Sequence, residues 1–396
     1  LIKTNKLANI RNELQEIKDL EKLKRKLILK EITPVNFVTI NNNIETIKKV
    51  YKGLCKDKVL NDYLFKKLGK LDDIDKVSQE ITSKIKTTLD LKLCKDVNTL
   101  NIDRNIINKG VFMELDEKVE KWYEANDTLE CIRKYLNNFL LKYETDKRKV
   151  APTKNTNDYV KIHETEKSGC TLQLTQKRAK TITEEFTRAN IKGEVELRYK
   201  SSYDETKENT IKLNIDELQF VTATGTNKNI MGSQLQGIYK SITATKTKMI
   251  DEVVMQYKNF IMDFMELTDK FLHVVKYITI LDVLQNKVYL ATSHKLCRPL
   301  IREHKKAYFS CKGLRHLLIE ELNTRELYVS NDVELGKEKD GVLIYGTNAV
   351  GKTSLIRSLG ICIIMAQAGL YVPCREMDYS PYTQIFTRIL GNDNIF

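Results

Sequence analysis

The sequence predicts a mixed fold: a mainly α-helical body with long helical arms, a small β-rich insert, and an incomplete α/β layer at the C-terminal end. Three observations predict it. Apolar residues recur at three- and four-residue steps through most of the first 150 residues and again from Met231 to Leu290, the spacing of amphipathic helices. Between these stretches, "YVKIH", "CTLQL", "EVELRY" and "IKLNI" alternate apolar and polar residues, as half-buried strands do. Beyond about residue 300 the chain turns to continuous apolar runs, the pattern of elements covered on both faces.

In chain order, Leu7, Ile10, Leu14, Ile17, Leu20 and Leu23 predict one helix over residues 1 to about 33, with Pro34 as punctuation. Shorter helical segments follow from Ile40 to about Leu93, broken near Gly53, Gly69 and the Asp72-Asp73 pair. Val111 to Lys147 predicts one long amphipathic helix, with Phe112, Leu115, Val119, Trp122, Leu129, Ile132, Leu136 and Leu140 on its apolar face. The stretch "KRKVAPTKNTND" ends it. The four alternating segments lie between Tyr159 and about Val221, before the helical period returns. A helical arm running out, a β module at its tip and an arm running back satisfies this order. Near the C-terminus "LYVSND" and "GVLIYG" predict buried strands, and "KTSLIRSLGICIIMAQAGL" predicts a helix enclosed on nearly every side.

Of 396 residues, 41% are hydrophobic, enough for a large core and two or three domains. The net charge of +13 suits a polyanionic partner such as nucleic acid or an anionic membrane face. A Lys-rich composition also yields a merely solvated basic surface. None of the eight cysteines forms C-x-x-C, so neither a zinc ribbon nor a disulfide framework is suggested, and reduced thiols are expected. The five histidines show no metal-ligand spacing. No signal peptide or uncharged spanning run is evident; the most apolar helical stretch, Phe271 to Leu281, carries His273 and Lys276. The chain opens on Leu1 rather than Met, and is read as a fragment open at both ends.

One segment carries specific chemistry. Gly346-Thr347-Asn348-Ala349-Val350-Gly351-Lys352-Thr353, followed by Ser354, matches G-x-x-x-x-G-K-[ST] without a gap. The glycines allow the tight angles that turn successive N–H groups onto phosphate oxygens. Lys352 supplies charge to the β- and γ-phosphates, and the Thr353 hydroxyl is a candidate Mg²⁺ ligand. The helix that follows aims its N-terminal dipole at the same anion. ATP with Mg²⁺ is the expected ligand, on a C-terminal α/β P-loop NTPase domain that is incomplete here. Such a site also needs an apolar strand ending in acidic residues. The candidate "YITILD", ending at Asp282, lies inside a helical period, and nothing after Thr353 fits; the catalytic carboxylates are expected outside this sequence.

"GLRHLLIEE", "YVSND", "LIYGTNAVGKTSLIRSLG", "IMAQAGLYVPC" and "IFTRILGNDNIF" run in order through the last part of the chain. Together they resemble the start of the ATPase domain of the MutS family, the DNA mismatch-repair clamps, in the spelling of large DNA viruses. "RNELQEIKDLEKLKRKL" is similar to that family's core-helix segment, and "ITILDVLQNKVYLATSHKLCRPLI" to the stretch joining lever to ATPase domain. The resemblance implies residues 1–150 as the first part of a helical core/lever and 151–230 as a β-rich clamp insert. It implies 231–300 as the returning lever helix and connector, and 301–396 as the N-terminal part of a P-loop ATPase domain. Nucleotide contacts carry over onto Gly346 to Ser354, and Tyr328 takes the place of an aromatic that stacks on adenine, unless it is ordinary core packing. Three positions depart from the family pattern: Thr347 stands where Pro is usual, Val350 where Gly is common, and Leu317 follows Arg315-His316 where Pro is usual.

The resemblance further implies double-stranded DNA as partner, a homo- or heterodimer formed through the ATPase domain, and an intracellular setting in cytoplasm, nucleus or viral factory. On the insert, Lys177, Arg178, Lys180, Arg188, Lys192, Arg198 and Lys200 are candidates for phosphate-backbone contacts, against the alternative of a solvated basic face. The expected function is an ATP-switched DNA clamp of mismatch repair. The alternative is a MutS relative that binds branched or recombining DNA without reading mismatches, since no upstream mismatch-reading domain lies in these residues. A chromosome-condensing coiled-coil ATPase fits less well, because its cradle precedes its arms and here the cradle follows them.

Overall fold

The computed structural model describes residues 10–54, 57–68, 74–148, 158–165, 169–223, 225–323, 327–347 and 350–388. Among them the chain runs through α1 (Arg11–Glu16), α2 (Leu20–Ile28), α3 (Pro34–Leu54), α4 (Lys58–Leu68), α5 (Ile74–Thr88), α6 (Leu91–Cys94) and the long α7 (Met113–Arg148). The insert holds β1 (Lys161–Thr165), β2 (Gly169–Thr175), α8 (Gln176–Arg188), β3 (Glu194–Lys200), β4 (Glu208–Asn214), β5 (Gln219–Thr222) and β6 (Asn227–Met231). Then follow α9 (Ser233–Met265), α10 (Thr268–Ser293), β7 (Leu300–Ile301), β8 (Tyr308–Leu314), α11 (Leu317–Leu322), β9 (Asn331–Leu335), α12 (Lys352–Gln367) and β10 (Glu376–Ser380). These elements form two compact units, one of Leu1–Glu21, Asn42–Glu80 and Asp269–Phe396, the other of Lys22–Asn41 and Ile81–Thr268. No helix among the described residues is long and apolar enough to cross a membrane.

The single helix expected over residues 1–33 is not observed: residues 1–9 lie outside the described residues, and the rest breaks into α1 and α2 at residues 17–19. The buried side chain of Asn43 explains the break. Its Nδ2 donates to the Lys18 carbonyl (3.0 Å) and its Oδ1 accepts from the Lys18 N–H (3.1 Å), replacing the backbone partners a continuous helix would supply. Further on, β7, β10, β8 and β9 form one sheet in that order. β10 runs parallel to β7 and antiparallel to β8, and β8 is antiparallel to β9. Cys362, Ile363 and Ala366 of α12 pack on Phe309, Cys311, Leu314, Val372, Cys374, Met377 and Tyr379 of this sheet and its connections.

Two other expectations fail in the first unit. "GVLIYG" forms no strand: residues 341–347 are irregular, and Leu343 and Tyr345 are each 89% exposed. A parallel strand covered on both faces exists only by pairing with neighbours, and no described strand flanks this segment. "LYVSND" begins as irregular chain, with Leu327 and Val329 exposed, and becomes strand only at Asn331. The same lack of cover leaves Ile356 and Ile364 exposed on α12, a helix expected to be enclosed.

In the second unit Pro34 starts α3 rather than ending a helix, because its ring presets a helical φ and its missing N–H is not needed in the first turn. Asn36 accepts from the Thr33 N–H (3.2 Å), the backward half of a capping box. The arms α7 and α9 lie antiparallel: Lys118, near the start of α7, pairs with Glu252, in the second half of α9. Toward the other end Leu129, Ile132, Leu136 and Leu140 share a core with Leu235, Tyr239 and Ile242. At the base, Phe37 meets Tyr257, Phe260 and Phe264 edge-on, an arrangement worth about 0.5–1.5 kcal/mol per pair beyond area burial.

The insert is an antiparallel sheet in the order β1-β2-β6-β5 with a separate β3-β4 hairpin. The expected strands are present. Helix α8 lies among them where only strands are expected, and Ala179, Ile182 and Phe186 of its buried face have helical spacing. Two side chains fasten the sheet to the arms. Asn137 of α7 accepts from the N–H groups of Tyr159 (2.7 Å) and Val160 (3.1 Å). The Tyr239 hydroxyl of α9 accepts from the Leu172 N–H (3.1 Å) and donates to the Ile230 carbonyl (2.8 Å), bridging β2 and β6.

Candidate functional site

The candidate phosphate loop opens α12. Gly351 is its N-cap, at φ 94° and ψ 13°, the left-handed region in which only glycine sits without strain. A Cβ at Gly346 would stand 3.2 Å from Val350 Cγ2, so the loop folds tightly on itself. Lys352 Nζ donates to the carbonyl oxygens of Gly346 (2.8 Å) and Thr347, which holds the ammonium against the loop. Thr353 and Ser354 are half-buried in the first turn, where helix N–H groups lack intrahelical partners and the dipole is positive. A cation, a hydroxyl and free amides are the donors a polyphosphate with Mg²⁺ requires. The structure thus brings Gly346, Thr347, Val350, Gly351, Lys352, Thr353 and Ser354 together; Asn348 and Ala349 lie outside the described residues. Tyr328 is half-buried in the irregular segment leading into β9. Asp282 lies within α10, a helix, as its period indicated.

Contacts that the sequence did not announce join the segment just after α12 to α10 and to its exit. Arg315 Nη2 donates to the carbonyls of His294 (3.0 Å) and Lys295 (3.2 Å), while Nη1 holds both carboxylate oxygens of Glu320. The Arg315 N–H donates to the Pro373 carbonyl at 2.9 Å. Lys287 of α10 donates to the carbonyl of Gly369, just past α12, at 3.2 Å. His316 caps α11, accepting from the Ile319 N–H through Nδ1 (3.3 Å). Burial, aided by the Arg357 charge and opposed by its own backbone hydrogen bond, pushes its pKa down, which favours the neutral ring that an accepting Nδ1 requires. The departure at Leu317 marked this stretch in the sequence, but its partners lie in other elements.

The basic candidates on the insert divide into groups. Lys177 and Lys180, with Thr175, Gln176 and Thr226, line an open recess of about 490 Å³ beside the start of α8. Arg178 stacks over the Tyr159 ring at 4.3 Å. Arg188, at the end of α8, lies 3.6 Å from Glu185, and Lys192 is exposed in the loop that follows. Arg198 and Lys200 line a second cleft of about 460 Å³ that also holds Asp127 and Glu130. Arg198 is 3.8 Å from Glu196. The first recess has cations and no carboxylate among its lining, so its field suits an anion better than the mixed second cleft does.

The fold and the site together define a class: a helical chain with paired arms, a β-rich module between them and a candidate phosphate loop at a helix N-terminus. Residues 342–396 match the family model for MutS domain V. The whole chain aligns at 24% identity with a DNA mismatch repair protein mutS homolog of Acanthamoeba polyphaga mimivirus, covering 37% of that protein. It aligns at 23% identity over 97% of its length with the DNA mismatch repair protein MutS of Caldanaerobacter subterraneus subsp. tengcongensis, again covering 37% of the relative. Over 29% of the chain, identity to MutS of Shouchella clausii is 36%, covering 13% of that protein. The chain is therefore similar to MutS proteins over nearly its whole length, and it spans 37% of each of the first two relatives.

Proposed function

We propose that this chain is the arm, clamp and nucleotide-loop portion of an ATP-switched clamp on duplex DNA acting in mismatch repair. The observation that carries the proposal is the G-x-x-x-x-G-K-T segment opening α12, in a chain whose relatives are named for mismatch repair. In this reading Gly346 to Ser354 hold the phosphates, Thr353 supplies a hydroxyl to Mg²⁺, and Tyr328 stacks on the base. The 1–150, 151–230, 231–300 and 301–396 divisions correspond to core/lever, clamp, connector and ATPase portions. The contacts of Arg315 and Lys287 support a coupling in which nucleotide at one end of α12 biases α10 at the other. The basic groups of the insert, Lys177 and Lys180 foremost, neutralise DNA phosphates. Dimerisation through the ATPase portion completes the catalytic site, and the chain alone binds nucleotide without steady turnover.

The test is titration of the full chain with a fluorescent ATP analogue and Mg²⁺. Saturable binding that Lys352→Ala weakens about 10- to 100-fold, the worth of a charged hydrogen bond, is expected. Binding unaffected by that substitution, or none at all, overturns the nucleotide assignment. Parallel titration with matched, mismatched and branched DNA separates the two DNA readings: a preference for branched DNA, with equal affinity for matched and mismatched duplex, moves the function to structure-specific binding.

A further inference from the structure

Among the described residues, seven cysteines are free thiols; Cys374 lies against two of them, Cys297 and the buried Cys362. The sulfurs of Cys297 and Cys374 lie 3.4 Å apart although 77 positions separate them in sequence. Cys297 sits on the segment leaving α10, and Cys374 on the segment between α12 and β10. Backbone pairing fixes both. The N–H and C=O of Cys297 exchange hydrogen bonds with Val372, each 2.9 Å, and the Cys374 N–H donates to the same Val372 carbonyl. Disulfide sulfurs bond at about 2.05 Å, so about 1.4 Å of side-chain movement closes the gap while the backbone bridge stays in place. Among the described residues no three of His, Cys, Asp and Glu gather as a metal-binding group, which leaves the pair to thiol chemistry. Cys297 is partly exposed and Cys374 is buried, which sets an order of reaction.

We propose that Cys297 and Cys374 are a redox pair, which a low-molecular-weight disulfide such as oxidised glutathione converts to an intramolecular disulfide. The Cys297 thiol loses its proton, and the thiolate attacks one sulfur of the small disulfide. A mixed disulfide forms, and one small thiolate leaves. Cys374 then loses its proton and attacks the Cys297 sulfur; the Cys297–Cys374 bond forms and the second small thiolate leaves. Two protein thiols are oxidised and one small disulfide is reduced to two thiols. The product closes a loop containing β7, β8, α11, β9, the phosphate loop and α12, and staples the exit of α10 to the exit of α12. Contact with the Cys374 sulfur, and then burial, push the Cys297 thiol up, so the exchange accelerates as pH rises.

The test incubates the full chain with oxidised glutathione over a range of pH, quenches with acid, blocks remaining thiols and maps peptides by mass. The expected result is a Cys297–Cys374 cross-linked peptide and an intact mass lower by two hydrogens, both reversed by reductant. Formation speeds with pH, and the unfolding midpoint of the oxidised chain rises. Cys297→Ala and Cys374→Ala each abolish the cross-link, while Cys131→Ser retains it. A glutathione adduct that persists on Cys297 without resolving, a Cys374 link to Cys362 instead, or no oxidation of either thiol overturns the proposal. The mapping on the unsubstituted chain stands whether or not the variants fold.

Discussion

Arg315 caps the end of α10 through the carbonyl of His294, which lies 3.0 Å from its Nη2. The same nitrogen reaches the Lys295 carbonyl, and Nη1 holds Glu320. A guanidinium at a helix C-terminus meets both the unpaired carbonyls and the negative end of the dipole. Its planar fork serves two directions at once, which an ammonium cannot do. Arg315→Lys is therefore expected to lower stability by about 1–2 kcal/mol, and Arg315→Met by more. Hydrogen-exchange protection over residues 288–296 should fall first. Unchanged protection in Arg315→Met would remove this residue as the link.

The Tyr239 hydroxyl is buried and serves both β2 and β6. Tyr239→Phe keeps the ring but orphans the Leu172 N–H and the Ile230 carbonyl. A cost of about 1–3 kcal/mol is expected, seen as a lower unfolding midpoint and faster exchange at Leu172. A neutral substitution would mean that water replaces the hydroxyl.

Acid should loosen the base of the arms. The hydrogen bond from Lys118 holds the Glu252 carboxyl below its ordinary value, against the opposing effect of burial, and Gln256 adds to the lowering. A carboxyl with a depressed folded pKa contributes stability that is fully present above its unfolded value, about 4.3, and is lost as pH falls through the folded one. Glu252→Gln should flatten that part of the pH–stability curve below about pH 5. Denaturant melts across the acid range measure it; a curve with the same acid slope in both proteins would assign the effect to other carboxylates.

Duplex DNA binding should weaken steeply with salt, because phosphate contacts release counterions. Lys177→Glu with Lys180→Glu should reduce the slope of log K against log salt by about 2, one per lost contact. Changing Arg198 and Lys200 should reduce it less, since Asp127 and Glu130 share their cleft. Fluorescence anisotropy at a series of salt concentrations reads both, and equal slopes for all variants would place the DNA elsewhere.

Elements whose information is local were legible. The periodicity of Leu115, Val119, Leu129, Ile132, Leu136 and Leu140 announced α7, observed at Met113–Arg148. Strict alternation announced β2, β3 and β4. Residues 346–354 announced a helix-opening loop on residue type alone, because φ at Gly351 and charge at Lys352 are properties of single positions. Helix α8 was legible but hidden by strands on either side.

What the sequence by itself determined is the order of helices, β insert and glycine loop, along with the residue types of the loop that opens α12. The tertiary structure alone decided where α1 ends, because Asn43 supplies the hydrogen bonds that break the helix at Lys18. It alone left residues 341–347 unpaired, joined Arg315 to His294, and brought Cys297 to Cys374 across 77 positions. The physical reason is range. Periodicity and backbone preference act within a few residues, whereas a side-chain hydrogen bond, a strand partner or a thiol neighbour is chosen by segments that meet only after the chain has folded.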